Sequence, residues 1–246
     1  MIKLSRRELE RYDRQIRIEG FGVEGQQRLK KSKVIIAGMG GLGCPAAIYL
    51  VAAGVGKLII IDKEKVELSN LNRQILHWDH DIGKYKVDSA IEKLSQLNPD
   101  IQIEGLKTEI TEQNVHSLIK EADVVVDGMD NFKTRFLLNE ACIRLGKPFV
   151  HAAVYGLTGE LMTIIPGKGP CYQCYLSTEP PEIKPFPVLG ATPGVLACLE
   201  AMEVIKLITG LGKPLVGKLL LFDGYKMSFQ VLKIKKSEKC PVCSGK

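Results

Sequence analysis

One stretch constrains the fold more than any other: KVIIAGMGGLGCPAAIYLVAAGVGKLIIID, Lys33 to Asp62. It opens on Val34–Ala37, short and β-branched enough for a buried strand. Gly38, Gly40 and Gly43 follow at the spacing G-x-G-x-x-G. An apolar segment from Leu42 to Ala53 reads as a helix, and Leu58–Ile61 reads as a second strand running into Asp62. Strand, glycine turn, helix, strand and acid make the first half of a dinucleotide-binding fold. Glycines let the backbone approach a phosphate, and the helix N-terminus offers it free N–H groups and a partial positive charge. Asp62 stands where a ribose hydroxyl needs an acceptor. Cys44 and Pro45 follow Gly43 in place of Lys and Ser or Thr, which excludes a Walker-type loop.

The 246 residues favour one enlarged α/β unit over two domains. Within it, 1–32 form N-terminal helices, 33–154 the nucleotide-binding core and 155–246 a C-terminal part. A net charge of +6 suits a polyanionic ligand or an acidic partner but is too diffuse to argue for nucleic acid. The run Val34–Gly56 carries no charge, yet its glycines and Pro45 break it, so no membrane span is expected. MIKLSRRELERYDRQ has no apolar core and does not read as a signal peptide. A cytoplasmic location is expected, where seven cysteines need a reason other than disulfides.

Ser5 and Glu8 have capping-box spacing, starting a helix that runs toward Arg17; a second spans about Val23 to Lys30. After Asp62, helices are expected over Lys86–Leu97, Glu112–Glu121 and Lys133–Leu145. Strands are expected over Ile101–Leu106, Asp123–Asp127 and Phe149–Val154. This alternation implies a Rossmann-like, mostly parallel sheet with helices on both faces, binding its ligand at the carboxyl ends of the strands. There Asp62, Asp130, the glycine loop and the loop from Asn70 to Arg73 converge. The last third adds a strand over Glu160–Ile165, a proline-rich loop from Tyr175 to Pro193 and a helix from Gly194 to Thr209. On one face of that helix lie Val195, Cys198, Leu199, Met202 and Ile205. A hairpin, Lys218–Phe222 with Ser228–Lys233, extends the sheet by antiparallel strands.

Cys171-x-x-Cys174 and Cys240-x-x-Cys243 are matched knuckles, the pattern of a tetrahedral four-thiolate Zn2+ site. Four thiolates leave no open coordination position, so the expected metal is structural. Free thiols or a redox pair is the alternative. Cys44, Cys142 and Cys198 fall on apolar helical faces and read as core residues.

Taken jointly, RYDRQ at 11–15, GMGGLGC at 38–44, Asp62, NLNRQ at 70–74, KVDSA at 86–90, VVDGMDN at 125–131 and the paired cysteines resemble the ThiF/MoeB/HesA family. These are prokaryotic relatives of ubiquitin-activating enzymes. The likeness covers nearly the whole chain in order and is strongest to the molybdopterin-synthase adenylyltransferase (MoeB) branch.

The resemblance implies ATP-dependent adenylation of the C-terminal Gly-Gly carboxylate of a small ubiquitin-like protein, with release of pyrophosphate. It implies that Arg73 and Lys86 grip the phosphates, with help from Ser69 and Asn70. Asp62 would hold the ribose, and Asp130, beside Asn131, would hold Mg2+. Gly38, Gly40, Gly41 and Gly43 would let the backbone approach ATP, and Arg14 would reach the neighbouring subunit's site in a homodimer. The partner would be a molybdopterin-synthase small subunit, a thiazole sulfur carrier or an archaeal modifier. The loop from Tyr175 to Pro193 has no thiol, so the adenylate would pass to a separate sulfur donor. Two other classes share parts of this pattern: an NAD-dependent oxidoreductase, which needs no cations around a triphosphate, and a non-catalytic scaffold, which need not retain Arg14, Arg73, Lys86 and Asp130.

Overall fold

The computed structural model describes residues 3–181 and 186–244. Eight strands form one sheet among them, in the order β3-β2-β1-β4-β5-β6-β7-β8. The strands are β1 (Lys33–Ala37), β2 (Lys57–Ile61), β3 (Gln102–Leu106), β4 (Val124–Asp127), β5 (Phe149–Tyr155), β6 (Thr158–Ile164), β7 (Lys218–Asp223) and β8 (Ser228–Lys233). The pairings from β3 to β5 are parallel, and those from β5 to β8 are antiparallel.

Strand alternation builds two cores, one on each side of the sheet. Val34, Ile36, Leu58, Ile60 and Val126 face one side. There they meet α3 (Gly22–Lys31), α4 (Gly43–Ala53), α5 (Lys86–Leu97) and α9 (Ala191–Thr209). Ile35, Ile59, Ile61, Val125 and Phe149 face the other, against α6 (Val115–Ile119), α7 (Phe132–Leu145) and α8 (Tyr172–Tyr175). The chain steps from β1 outward to β2 and β3, then returns to β4 on the far side of β1. That reversal opens a crevice at the carboxyl ends of β1 and β4, the place where such sheets bind ligands.

Several boundaries differ from expectation. The first helix breaks at Tyr12 into α1 (Arg6–Arg11) and α2 (Asp13–Ile16), because Tyr12 is buried and its hydroxyl accepts a bond from Asn98 Nδ2 at 2.9 Å. The helix expected from Glu112 shrinks to α6, since Asn114 Oδ1 accepts from the Thr111 N–H at 2.8 Å and stabilises a turn there. The last helix starts at Ala191, with Pro193 in its first turn, where its missing N–H leaves no intrahelical bond unmade.

The face expected for α9 is corrected. Leu196, Ala197, Glu200, Ala201 and Val204 are buried, whereas Met202 is 52% exposed and Cys198 only half-buried. The helix is apolar nearly all round, so apolar spacing alone did not single out the side that meets the sheet. The loop expected from Tyr175 to Pro193 narrows to 176–190, with 182–185 outside the described residues. No helix among the described residues is long and apolar enough to cross a membrane.

Candidate nucleotide and metal sites

Two glycines shape the crevice. Gly38 has φ +95°, and a Cβ there would lie 2.5 Å from the Gly128 carbonyl oxygen, so the turns after β1 and β4 touch. A Cβ on Gly43 would lie 1.9 Å from the Gly38 carbonyl oxygen, so only glycine lets α4 start against the loop. Gly40 is different: a Cβ on it would meet nothing closer than 3.8 Å, which leaves the loop open to the crevice.

The crevice widens into a cleft of about 1820 Å³ lined by Gly38, Gly40, Gly41, Asp62, Ser69, Asn70, Arg73, Lys86, Asp130 and Asn131. Ordinary ligand pockets hold about 300–1,000 Å³, so this one has room beyond a nucleotide. Ten of the expected residues therefore converge. Gly43 instead supports the loop from behind. Arg14 is exposed on α2 and is not part of the cleft lining.

The side chains are fixed by local chemistry. Asp62 Oδ2 accepts from the Met39 N–H and Oδ1 from the Glu64 N–H, both at 2.8 Å. Burial lifts its pKa above the usual carboxylate value, against the opposing pull of Lys86 and of these two N–H groups. Lys86 is itself buried at the start of α5, with Nζ 2.6 Å from Glu64 Oε2. Asn70 Oδ1 accepts from the Glu67 N–H at 3.0 Å, tying the turn that presents Arg73. Arg73 Nη1 donates to the Ser69 carbonyl at 2.8 Å and to Asn72 Oδ1 at 3.0 Å, holding its guanidinium at the rim. Asp130 is exposed and does not cap α7: Asn131 Oδ1 takes the Thr134 N–H at 2.8 Å instead. Asp130 is thus left with its carboxylate at the cleft.

Sequence reasoning missed a buried cluster beneath this loop. Asp127 and His151 are fully buried, with Asp127 Oδ2 2.6 Å from His151 Nδ1 and 3.2 Å from Arg135 Nε. Asp127 closes the valine strand within VVDGMDN, and His151 shares the side of β5 with Phe149. Period-two alternation therefore puts His151 in a core, and no spacing motif marked it.

The four expected thiols come together. The Sγ atoms of Cys171, Cys174, Cys240 and Cys243 all lie within 4.8 Å of one another, with Cys171–Cys240 at 3.5 Å and Cys174–Cys243 at 3.4 Å. A tetrahedral metal with bonds of about 2.3 Å to sulfur sets sulfur atoms about 3.8 Å apart, so the donors fit such an ion and could hold one.

A profile of the ThiF family matches residues 12–242. The chain belongs to the ThiF family. Among relatives of this ThiF-family chain, the SAMP-activating enzyme E1 of Haloferax volcanii is 42% identical over 98% of this chain and 91% of its own length. The adenylyltransferase and sulfurtransferase MOCS3 of Culex quinquefasciatus is 44% identical over 98% of this chain, which spans 57% of that protein. Among solved structures, E. coli MccB with MccA-N7isoASN superposes with a TM-score of 0.88 at 26% identity, covering 98% of this chain and 76% of that one.

Proposed function

We propose that this ThiF-family chain is an adenylyltransferase that activates the C-terminal Gly-Gly carboxylate of a small ubiquitin-like sulfur-carrier protein, using ATP. The observation that carries the reading is the convergence of two cations, Arg73 and Lys86, with Asp62, Asp130 and an open glycine turn. They share one cleft too large for a nucleotide alone. The carboxylate oxygen forms a bond to the α-phosphorus, and the bond from that phosphorus to the bridging oxygen of pyrophosphate breaks. Two anions must meet and a third must leave, so preorganised positive charge is the dominant requirement. Arg73 and Lys86 supply it, with Ser69 and Asn70 forming the turn beside them. Lys86 trades its partner Glu64 for phosphate. Asp62 would accept from the ribose, and the exposed Asp130 carboxylate, beside Asn131, would hold Mg2+, whose charge would neutralise the polyphosphate.

Relatives named as an E1 and an adenylyltransferase support this class of reaction. A nicotinamide enzyme would use Asp62 and the glycines but has no need of Arg73, Lys86 and Asp130 around them. The four thiols would hold a structural Zn2+. Pro180, Pro181, Phe186 and Val188 line the cleft from the loop above it and cover the extended tail. Cys198 is half-buried, its thiol pKa raised by burial, so the adenylate passes to a separate sulfur donor. Within the reading, the partner is a molybdopterin-synthase small subunit, a thiazole sulfur carrier or an archaeal-type modifier.

The test is ATP–pyrophosphate exchange against a panel of Gly-Gly-tailed partners. Exchange should require the free tail and fall by about 10²-fold or more in Asp130→Ala and in Arg73→Ala, the scale of losing one transition-state electrostatic group. Undiminished exchange in both variants overturns the assignment.

A further inference from the structure

Both backbone polar groups of Met129, next to Asp130, are held. Its N–H donates to Asp127 Oδ1 at 2.9 Å, and its carbonyl accepts from Arg135 Nη2 at 2.6 Å. Asp127 is held in turn by Arg135 and by His151. His151 Nε2 reaches Glu160 Oε1 at 3.3 Å, and Glu160 Oε2 accepts from the Tyr175 hydroxyl at 2.8 Å. The imidazole also packs 4.4 Å, centroid to centroid, from the ring of Tyr172. A relay of side chains thus runs from Tyr175, the residue after Cys174, to the backbone of the Asp130 loop.

We propose that His151 is a positioning residue for the adenylation site: it orients Asp127, through which the Met129 peptide aims the Asp130 carboxylate into the cleft. This rests on the adenylation reading, because it takes Asp130 as the group that holds Mg2+. Three observations carry it. Asp127 is fully buried and cannot touch a ligand, so its two oxygens act only through the groups they bind. The cluster sets the Asp127 and Glu160 carboxylates against Arg135 and His151, with the fully buried Glu200 beside them pushed toward its neutral form. That balance is what a buried ionic group needs in order to persist. Burial works against a charged imidazole, but the bonds to Asp127 and Glu160 outweigh it and raise the His151 pKa. Glu160, also desolvated, is drawn below its usual value by His151. Both ring nitrogens face carboxylate oxygens, so an imidazolium would donate at both ends as a strut between β4 and β6, where a neutral ring could donate at one end only.

Two amide variants separate positioning from mere support. Asn places its donor near Nδ1 and keeps Asp127; Gln places it near Nε2 and keeps Glu160. Both are polar and leave one carboxylate engaged, so a purely structural role would make them alike. The measurement is calorimetric binding of a non-hydrolysable ATP analogue at increasing Mg2+, without any partner protein, with thermal unfolding recorded for each variant. His151→Gln should need about 10-fold or more Mg2+ for half-maximal tightening, the scale of losing an outer-shell orienting group. Its affinity for the analogue in chelator should stay at the wild-type value. His151→Asn should retain most of the wild-type Mg2+ response. Equal responses in the two variants, or a wild-type response in His151→Gln, overturn the proposal while leaving adenylation intact. Wild-type protein that does not bind the analogue overturns the adenylation reading and this proposal with it.

Discussion

Met39, in the glycine turn, is held in the same manner as Met129. Asp62 takes its N–H, and His77 Nε2 lies 3.1 Å from its carbonyl while Nδ1 lies 2.9 Å from Ser89 Oγ. Burial lowers the His77 pKa to about 4 against the hydrogen bond to Met39, with Lys86 and Lys93 adding to the fall. The ring is therefore neutral at pH 7 and donates from Nε2 to the carbonyl, while the Ser89 hydroxyl beside Nδ1 also donates to Asp81 Oδ2 at 3.0 Å. The unfolded chain protonates this histidine near pH 6.5 and the folded chain only near 4, so stability is lost as pH falls through that window. Between pH 7.5 and 5 the loss amounts to about 2 kcal/mol. Gln at position 77 keeps a donor and cannot titrate. Urea unfolding at the two pH values should show wild type losing about 2 kcal/mol more than His77→Gln; equal losses refute the account.

The strands and the glycine turn were legible because their signals are local: β-branched runs, and a G-x-G-x-x-G leading from β1 into α4. Face and pairing were less so. In α9 the packed side carries small Ala197 and Ala201 and the fully buried Glu200, which an apolar stripe would not select. His151, Asp127, Arg135 and Glu160 come from four different elements, and only the folded sheet brings them together. The paired cysteines could be read because two equal spacings must meet to make one tetrahedron. The segment after β8 is tied back to α8 by those thiols. Cys240→Ser should thus cut zinc content, about one ion per chain in the parent by elemental analysis, and lower the melting temperature. A parent free of metal, or a variant of unchanged stability, counts against the site.

On the scale of the whole molecule, the cleft contains every residue expected at the nucleotide site except Gly43 behind the loop and Arg14, which lies exposed on α2 with no ion pair or hydrogen bond to its side chain among the described residues. If Arg14 serves the adenylation site proposed above, its place outside its own cleft is explained by its reaching the site of a second copy. Mixing Arg14→Ala with Asp130→Ala chains should then create one intact site per hybrid dimer, because each protomer supplies what the other lacks. Exchange activity should reappear after subunit exchange from two nearly inactive parents. No recovery in verified hybrids places Arg14 outside the partner's site.

The thiol cluster has a consequence for synthesis. Its two halves are separated in chain order by α9, β7 and β8. While the ribosome is still making this stretch, Cys171 and Cys174 stand alone as an incomplete pair of ligands. A polypeptide cut short just beyond β8 would keep every strand of the sheet and all residues lining the cleft, yet only half of the donors. An ion held by all four thiols would therefore require that translation has reached Cys243, and its uptake would join the segment at α8 to the one after β8.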